Sequence, residues 1–178
     1  SEIEELVRRL ERKLEEHKKM VDKYREDLKR TLDRVNELSK DYIKKLRDIL
    51  EKAERLVRRG ELKEEVVKKI EDELKKLNEE YEKRVRDVER ELRKLNDDVR
   101  KLHEELEKDL RREEEDVERK GTSEDLRRIA ERVLREAHRT AKDLHRDSER
   151  VREEIKKSVD RVHEESERVL REIRKLKK

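Results

Sequence analysis

Three histidines, His17, His103 and His138, hold the most chemistry in this chain, provided the fold brings them together. Neutral imidazole is a ligand for Zn²⁺, and three of them leave a fourth position open to water. They would equally suit Ni²⁺ or Cu²⁺. Two further sets, Tyr24 with Asn96 and His145, and Tyr42 with Asn78 and His163, each join a phenol, an amide and an imidazole. Such a trio offers acid–base groups near neutral pH, where imidazole titrates. The plainer chemistry of all three sets is hydrogen bonding, with donors and acceptors from three segments paired in one layer. Ser148 and Ser166, three residues beyond His145 and His163, are placed to join those layers.

Spacing favours the plainer chemistry. The pairs 17/103, 24/96 and 42/78 are equidistant from Gly60. The pairs 103/138, 96/145 and 78/163 are equidistant from the bond between Lys120 and Gly121. Equidistant residues lie at one height in an antiparallel hairpin. Gly60 and Gly121 are the two glycines of the chain, and glycine enters the left-handed conformation that ends a helix without strain. The Tyr/Asn/His sets are also 18 residues apart on every segment, so one arrangement is used twice. Asn36 and Tyr81 match no layer by this rule, although Tyr81 lies on the seam near Asn78. Asn78, Asn96, His103, His138, His145 and His163 each follow a seam residue by one, which puts them at the flank of the core.

The elements that must position these residues are helices. Apolar residues recur in steps of three and four, as in Val7, Leu10, Leu14, Val21, Leu28 and Val35, or Leu74, Leu77, Tyr81, Val85, Val88 and Leu92. The pattern predicts helices over about 2–59, 61–119 and 123–177 in a single domain spanning 1–178. The first would be about 85 Å long at 1.5 Å per residue. Ser1 with Glu4 forms a capping box, and Thr122-Ser123-Glu124-Asp125 supplies a cap and acidic first turn for the third. The 18-residue repeat, in Leu10/Leu28/Leu46, Leu74/Leu92/Leu110 and Val133/Val151/Val169, equals five turns at 3.6 residues. Nearly straight helices follow, because only a strict heptad imposes left-handed supercoiling. Two short loops between three long helices give an all-α, single-chain, antiparallel up-down-up three-helix bundle.

Composition bounds the rest. Charged residues make up 60% of the chain and the net charge is only +3, which leaves no electrostatic footprint for nucleic acid. The 44 Leu, Ile and Val residues, set at helical spacing, separate the sequence from disordered chains of similar charge. Residues 1–59 carry +4, residues 61–120 carry −5 and residues 122–178 carry +4, so each outer helix is drawn to the middle one. Absence of cysteine excludes disulfides and thiolate metal sites. No apolar run reaches membrane-spanning length and no targeting signal stands out, so a soluble protein fit for cytoplasmic expression is expected.

The Glu/Lys/Arg surface, the 18-residue repeat, the GTSEDL loop-and-cap and the repeated Tyr/Asn/His layers resemble de novo designed parametric helical bundles with buried hydrogen-bond networks. The resemblance covers the whole chain. It implies a very stable scaffold with no natural substrate, no enzymatic activity, no cofactor and no required partner. The layers would then specify register and topology, because slipping one helix leaves several buried polar groups unpaired. Three alternatives stand beside this reading. Leu6, Met20, Leu32, Ile43, Leu50 and Val57 widen the apolar face of the first helix, as a component of a larger assembly would. Buried histidines would make a bundle responsive to acid. His17, His103 and His138 would make a metal site.

Overall fold

The computed structural model describes residues 2–119 and 124–177, and every secondary-structure element among them is helical: α1 (Glu2–Arg58), α2 (Glu64–Arg119) and α3 (Glu124–Leu176). The Ser1 capping box, the stop at Gly121 and the cap candidates Thr122 and Ser123 lie outside the described residues. No proline interrupts the helices, and acidic residues open α2 (Glu64, Glu65) and α3 (Glu124, Asp125) while basic ones close all three. Both placements favour the helix dipole.

The first turn explains a shift in the boundary of α2. Gly60 has φ +66°, its N–H donates to the Val57 carbonyl, and the Glu61 N–H donates to that of Leu56. This pair of bonds is the Schellman closure, which satisfies two carbonyls at the end of α1. Glu61 is thereby committed to closing one helix and cannot open the next. Lys63 accepts from the Val67 N–H instead, and α2 begins at Glu64, three residues later than the periodicity predicts.

The helices divide into two compact units. The first unit comprises Ser1–Lys29 and Leu92–Val151, the second Arg30–Glu91 and Arg152–Lys178. All three helices contribute to each. Cross-helix contacts set the chain directions within them. In the second unit Arg34 meets Glu91, Ser39 meets Tyr81 and Lys52 meets Glu73, so α1 and α2 run antiparallel. There Ser39 also meets Ser158, and Arg47 meets Glu165, so α1 and α3 run parallel. In the first unit Lys18 meets Glu136 and Arg25 meets Asp147 in the same parallel sense, while Asn96 with Ser148 and Glu107 with His138 set α2 against α3. The bundle is up-down-up.

Each unit has its own core. Leu6, Val7, Leu10, Leu14, Leu110, Val117, Ala130, Val133, Leu134 and Ala137 cluster in the first. Tyr42, Leu46, Ala53, Val67, Ile70, Leu74, Tyr81, Val162, Val169 and Ile173 cluster in the second. A fully buried Leu or Ile contributes roughly 1.5–3 kcal/mol, so packing rather than helix propensity holds these segments. The apolar face of α1 is narrower than its sequence implies. Leu6 and Leu50 are buried in the core and Leu32 and Ile43 are half-buried, which leaves Met20 and Val57 as the exposed large apolar side chains among the described residues.

Candidate functional site

Apart from the ion pairs already named, three groups of polar side chains lie between the helices among the described residues. The most deeply buried is in the second unit. Ser158 on α3 donates to Ser39 Oγ on α1 at 2.8 Å, and Ser39 Oγ pairs with the Tyr81 hydroxyl on α2 at 3.0 Å. All three helices thus meet through neutral hydroxyls that are at most 4% exposed. The Tyr81 ring packs on Tyr42 with centroids 4.9 Å apart and meets His163 edge-on at 6.4 Å. Burial raises the Tyr81 phenol above its ordinary pKa, with the Ser39 hydrogen bond opposing and Glu89 adding.

Tyr42 belongs to this cluster by its ring rather than its hydroxyl. Lys45 stands over the ring, 4.9 Å from its centre. No group reaches hydrogen-bond geometry with the buried Tyr42 hydroxyl, although the Glu80 carboxylate is near enough to affect it. Burial pushes the phenol up to about 12, with Arg84 opposing and Glu80 and Asp41 adding. The Tyr42/Asn78/His163 set is therefore taken apart in the structure. Tyr42 goes to Tyr81, and the amide oxygen of Asn78 accepts from Ser166 at 2.9 Å. His163, one residue past buried Val162, sits on the exposed side of α3.

The second group is that Asn–Ser contact and its counterpart. Ser148 donates to Asn96 at 2.6 Å in the first unit, and Ser166 donates to Asn78 at 2.9 Å in the second. Both donors and both acceptors are 18 residues apart, so one α3-to-α2 contact occurs twice. His145 lies outside it: the ring is 68% exposed and pairs with Glu149 one turn along α3. Leu144, the residue before it, is buried in the core. Tyr24 is half-buried, and its phenol is raised by burial and by the charges of Asp98, Asp27 and Glu105.

The third group is the histidine and carboxylate set of the first unit. His17 on α1 is buried and His103 on α2 is half-buried, and the Nδ1 of each is buried without a hydrogen-bonding partner. Burial lowers the His17 pKa; Asp109 and Glu16 oppose this and Lys13 adds to it. His138 on α3 turns away from a three-histidine layer. Its Nδ1 stands 3.2 Å from Glu107 Oε1 and its Nε2 stands 3.1 Å from Glu114 Oε1. With both ring nitrogens engaged, His138 does not complete a site with His17 and His103. Among the described residues no cluster of three or more His, Asp or Glu side chains is gathered as a metal ion would need.

The acidic run Glu113–Asp116 reads as a solvated face in the sequence, and the structure corrects this for Glu113. It is 5% exposed, and Arg9 at 2.8 Å and Lys13 at 2.9 Å reach across from α1 to it. Burial alone would raise its carboxyl; hydrogen bonds from Arg9 and Lys13 prevail and hold it below the ordinary value. A signal for it exists in the sequence, because Glu113 lies three residues past Leu110 and four before Val117, on the seam itself. Ser39 had a signal of its own: Ser39 and Tyr81 are equidistant from Gly60.

No described helix is long and apolar enough to cross a membrane. No protein-family model matches the chain, and no curated protein sequence matches it. Among solved structures, a computationally designed three-helix bundle is similar at 19% identity with a TM-score of 0.48, over 99% of this chain and 90% of that one.

Proposed function

We propose that this chain is a designed structural scaffold, a three-helix bundle in which buried polar contacts between helices specify register. The supporting observation is the doubled contact, Ser148 to Asn96 and Ser166 to Asn78, together with the Ser39–Tyr81–Ser158 hydroxyl chain. A net intramolecular hydrogen bond is worth only about 1 kcal/mol, but a buried hydroxyl left without a partner costs about 1–3 kcal/mol. Slipping α3 by one turn would strand Ser148, Ser158 and Ser166 together. The penalty thus falls on wrong arrangements more than the gain falls on the right one. This reading assigns no catalytic residue, no cofactor and no obligatory partner.

The test replaces the contacts by apolar groups of similar shape: Ser39→Ala, Tyr81→Phe, Ser158→Ala, Asn78→Leu, Asn96→Leu, Ser148→Ala and Ser166→Ala in one chain. Helicity and overall stability are expected to survive, while the amide NMR spectrum multiplies into several sets of peaks. A single sharp set, as in the parent, would show that the apolar pattern alone fixes register. A second reading, response to acid, is favoured by the unpartnered buried nitrogen of His17. Association through α1 has less to support it, since Leu6 and Leu50 are core residues.

A further inference from the structure

Two histidines of the first unit, His17 and His138, sit on different helices and offer a proton opposite surroundings. His17 belongs to α1, and the buried Nδ1 of its ring has no acceptor. A proton placed there is a charge taken out of water with nothing to receive its hydrogen bond. His138 belongs to α3 and lies between Glu107 and Glu114, both on α2. A neutral imidazole donates from one nitrogen, whereas the imidazolium donates from both. The bracket so placed gives either protonation state of the ring a carboxylate partner on α2, which ties α3 to α2.

We propose that mild acid increases the opening of the α1 segment of the first unit from its α2–α3 pair, while the His138 bracket keeps that pair together. The proposal deepens the scaffold reading and rests on it for the fold that opens. The charged groups that act on His17 are Asp109 of α2 and Lys13 and Glu16 of α1. Lys13 in turn pairs with Glu113 of α2, and Lys18, the residue after His17 on α1, pairs with Glu136 of α3. Burial outweighs Asp109 and Glu16, so the folded state favours neutral His17. The sign follows from linkage. A base with a depressed folded pKa contributes its full stability above the unfolded value of 6.5, and loses it as pH falls below that value. The ion pairs that hold α1 stay intact in this window, because Glu113 and Glu136 are both held below 4.5. They confine the effect to more frequent opening rather than separation.

Segment-resolved hydrogen exchange of the full chain at pH 7.5 and pH 5.5, corrected for intrinsic rates, tests this. Protection of residues 10–25 is expected to fall, by up to about tenfold, the limit for one proton uptake resisted over one pH unit. Residues 130–145 and the second unit are expected to hold. His17→Leu abolishes the loss in α1; if that variant fails to fold, His17→Gln carries the same expectation. His138→Gln leaves the α1 loss in place and lowers protection of residues 130–145. Equal loss in α1 and α3, loss unaffected by either His17 variant, or α3 protection indifferent to His138→Gln would overturn the proposal. Full protection at both pH values would overturn it while leaving the scaffold reading standing. A bundle without slow-exchanging amides even at pH 7.5 would overturn both.

Discussion

The two units use the same three helices and the same parallel and antiparallel pairings, yet they bury different polar chemistry. The second unit buries neutral hydroxyls, Ser39, Tyr81 and Ser158, in a chain that spans all three helices. The first buries groups that titrate, His17 and Glu113, each on one helix and answered or left unanswered by another. Neutral groups inside a low-dielectric core need only partners, whereas charged ones need partners and the right pH. An apolar repeat can thus be copied along a bundle while each stretch acquires its own response to solvent.

The largest expected effect tests how much the second unit depends on its central aromatic. Tyr81→Ala should cost about 3–5 kcal/mol, since it opens a cavity against Tyr42 and strands Ser39 and Ser158 beside it. A denaturant midpoint reads this directly. Tyr81→Phe should cost only about 1 kcal/mol, because Ser39 and Ser158 still bond one another. Equal losses for the two variants would make the hydroxyl, not the ring, the main contributor.

The counterpart in the first unit is Glu113→Ala, expected to cost about 1–2 kcal/mol at pH 7. The loss is limited because Arg9 is 44% and Lys13 is 33% exposed, and water replaces their lost acceptor. The parent's contribution from Glu113 is present above the ordinary carboxylate value of 4.5 and fades as pH falls through the lower folded pKa. Parent and variant melts should therefore converge as pH falls below 4.5 and through that folded value. A gap that persists in acid would assign the loss to packing.

Much of this comparison was legible from the residues, and what was missed has a geometric cause. Gly60 located the first turn and the 18-residue spacing located Asn78, Asn96, Ser148 and Ser166, because backbone conformation and repeat are properties of sequence position. The equidistance rule gives height along a bundle but not direction around a helix. His138, His145 and His163 have the right height, yet His138 meets Glu107 and Glu114, His145 meets Glu149 on its own helix, and His163 is exposed. Ser39 and Glu113 show the converse. They occupy seam positions, but a serine among charged residues and a glutamate in an acidic run resemble surface, so neither reads as core. The Schellman closure at Gly60 likewise takes up Glu61, which periodicity assigned to α2.

A more even effect should come from the doubled contact. Ser148→Ala and Ser166→Ala are each expected to lower stability by about 1 kcal/mol, and by similar amounts, since each removes one hydrogen bond to an asparagine on α2. A much larger loss for either would show that the repeat is geometric only, with the surroundings of one unit setting its energetics. Guanidinium melts of the two single variants and the double variant settle this. The sites lie in different units, so their effects should add.

The smallest effect is the most discriminating. His145→Ala should change stability by no more than about 0.5 kcal/mol, because an exposed side chain paired within its own helix contributes little. Its exposure contrasts with buried His17, 9% exposed on the same unit, and the two substitutions should separate cleanly in acid. His17→Leu flattens the pH dependence of the first unit, while His145→Ala leaves it as in the parent. A loss above about 1 kcal/mol on His145→Ala would mean that the imidazole reaches Asn96 in solution. The Tyr24/Asn96/His145 layer would then be a real network, and the first unit would join its helices through a neutral chain as the second does.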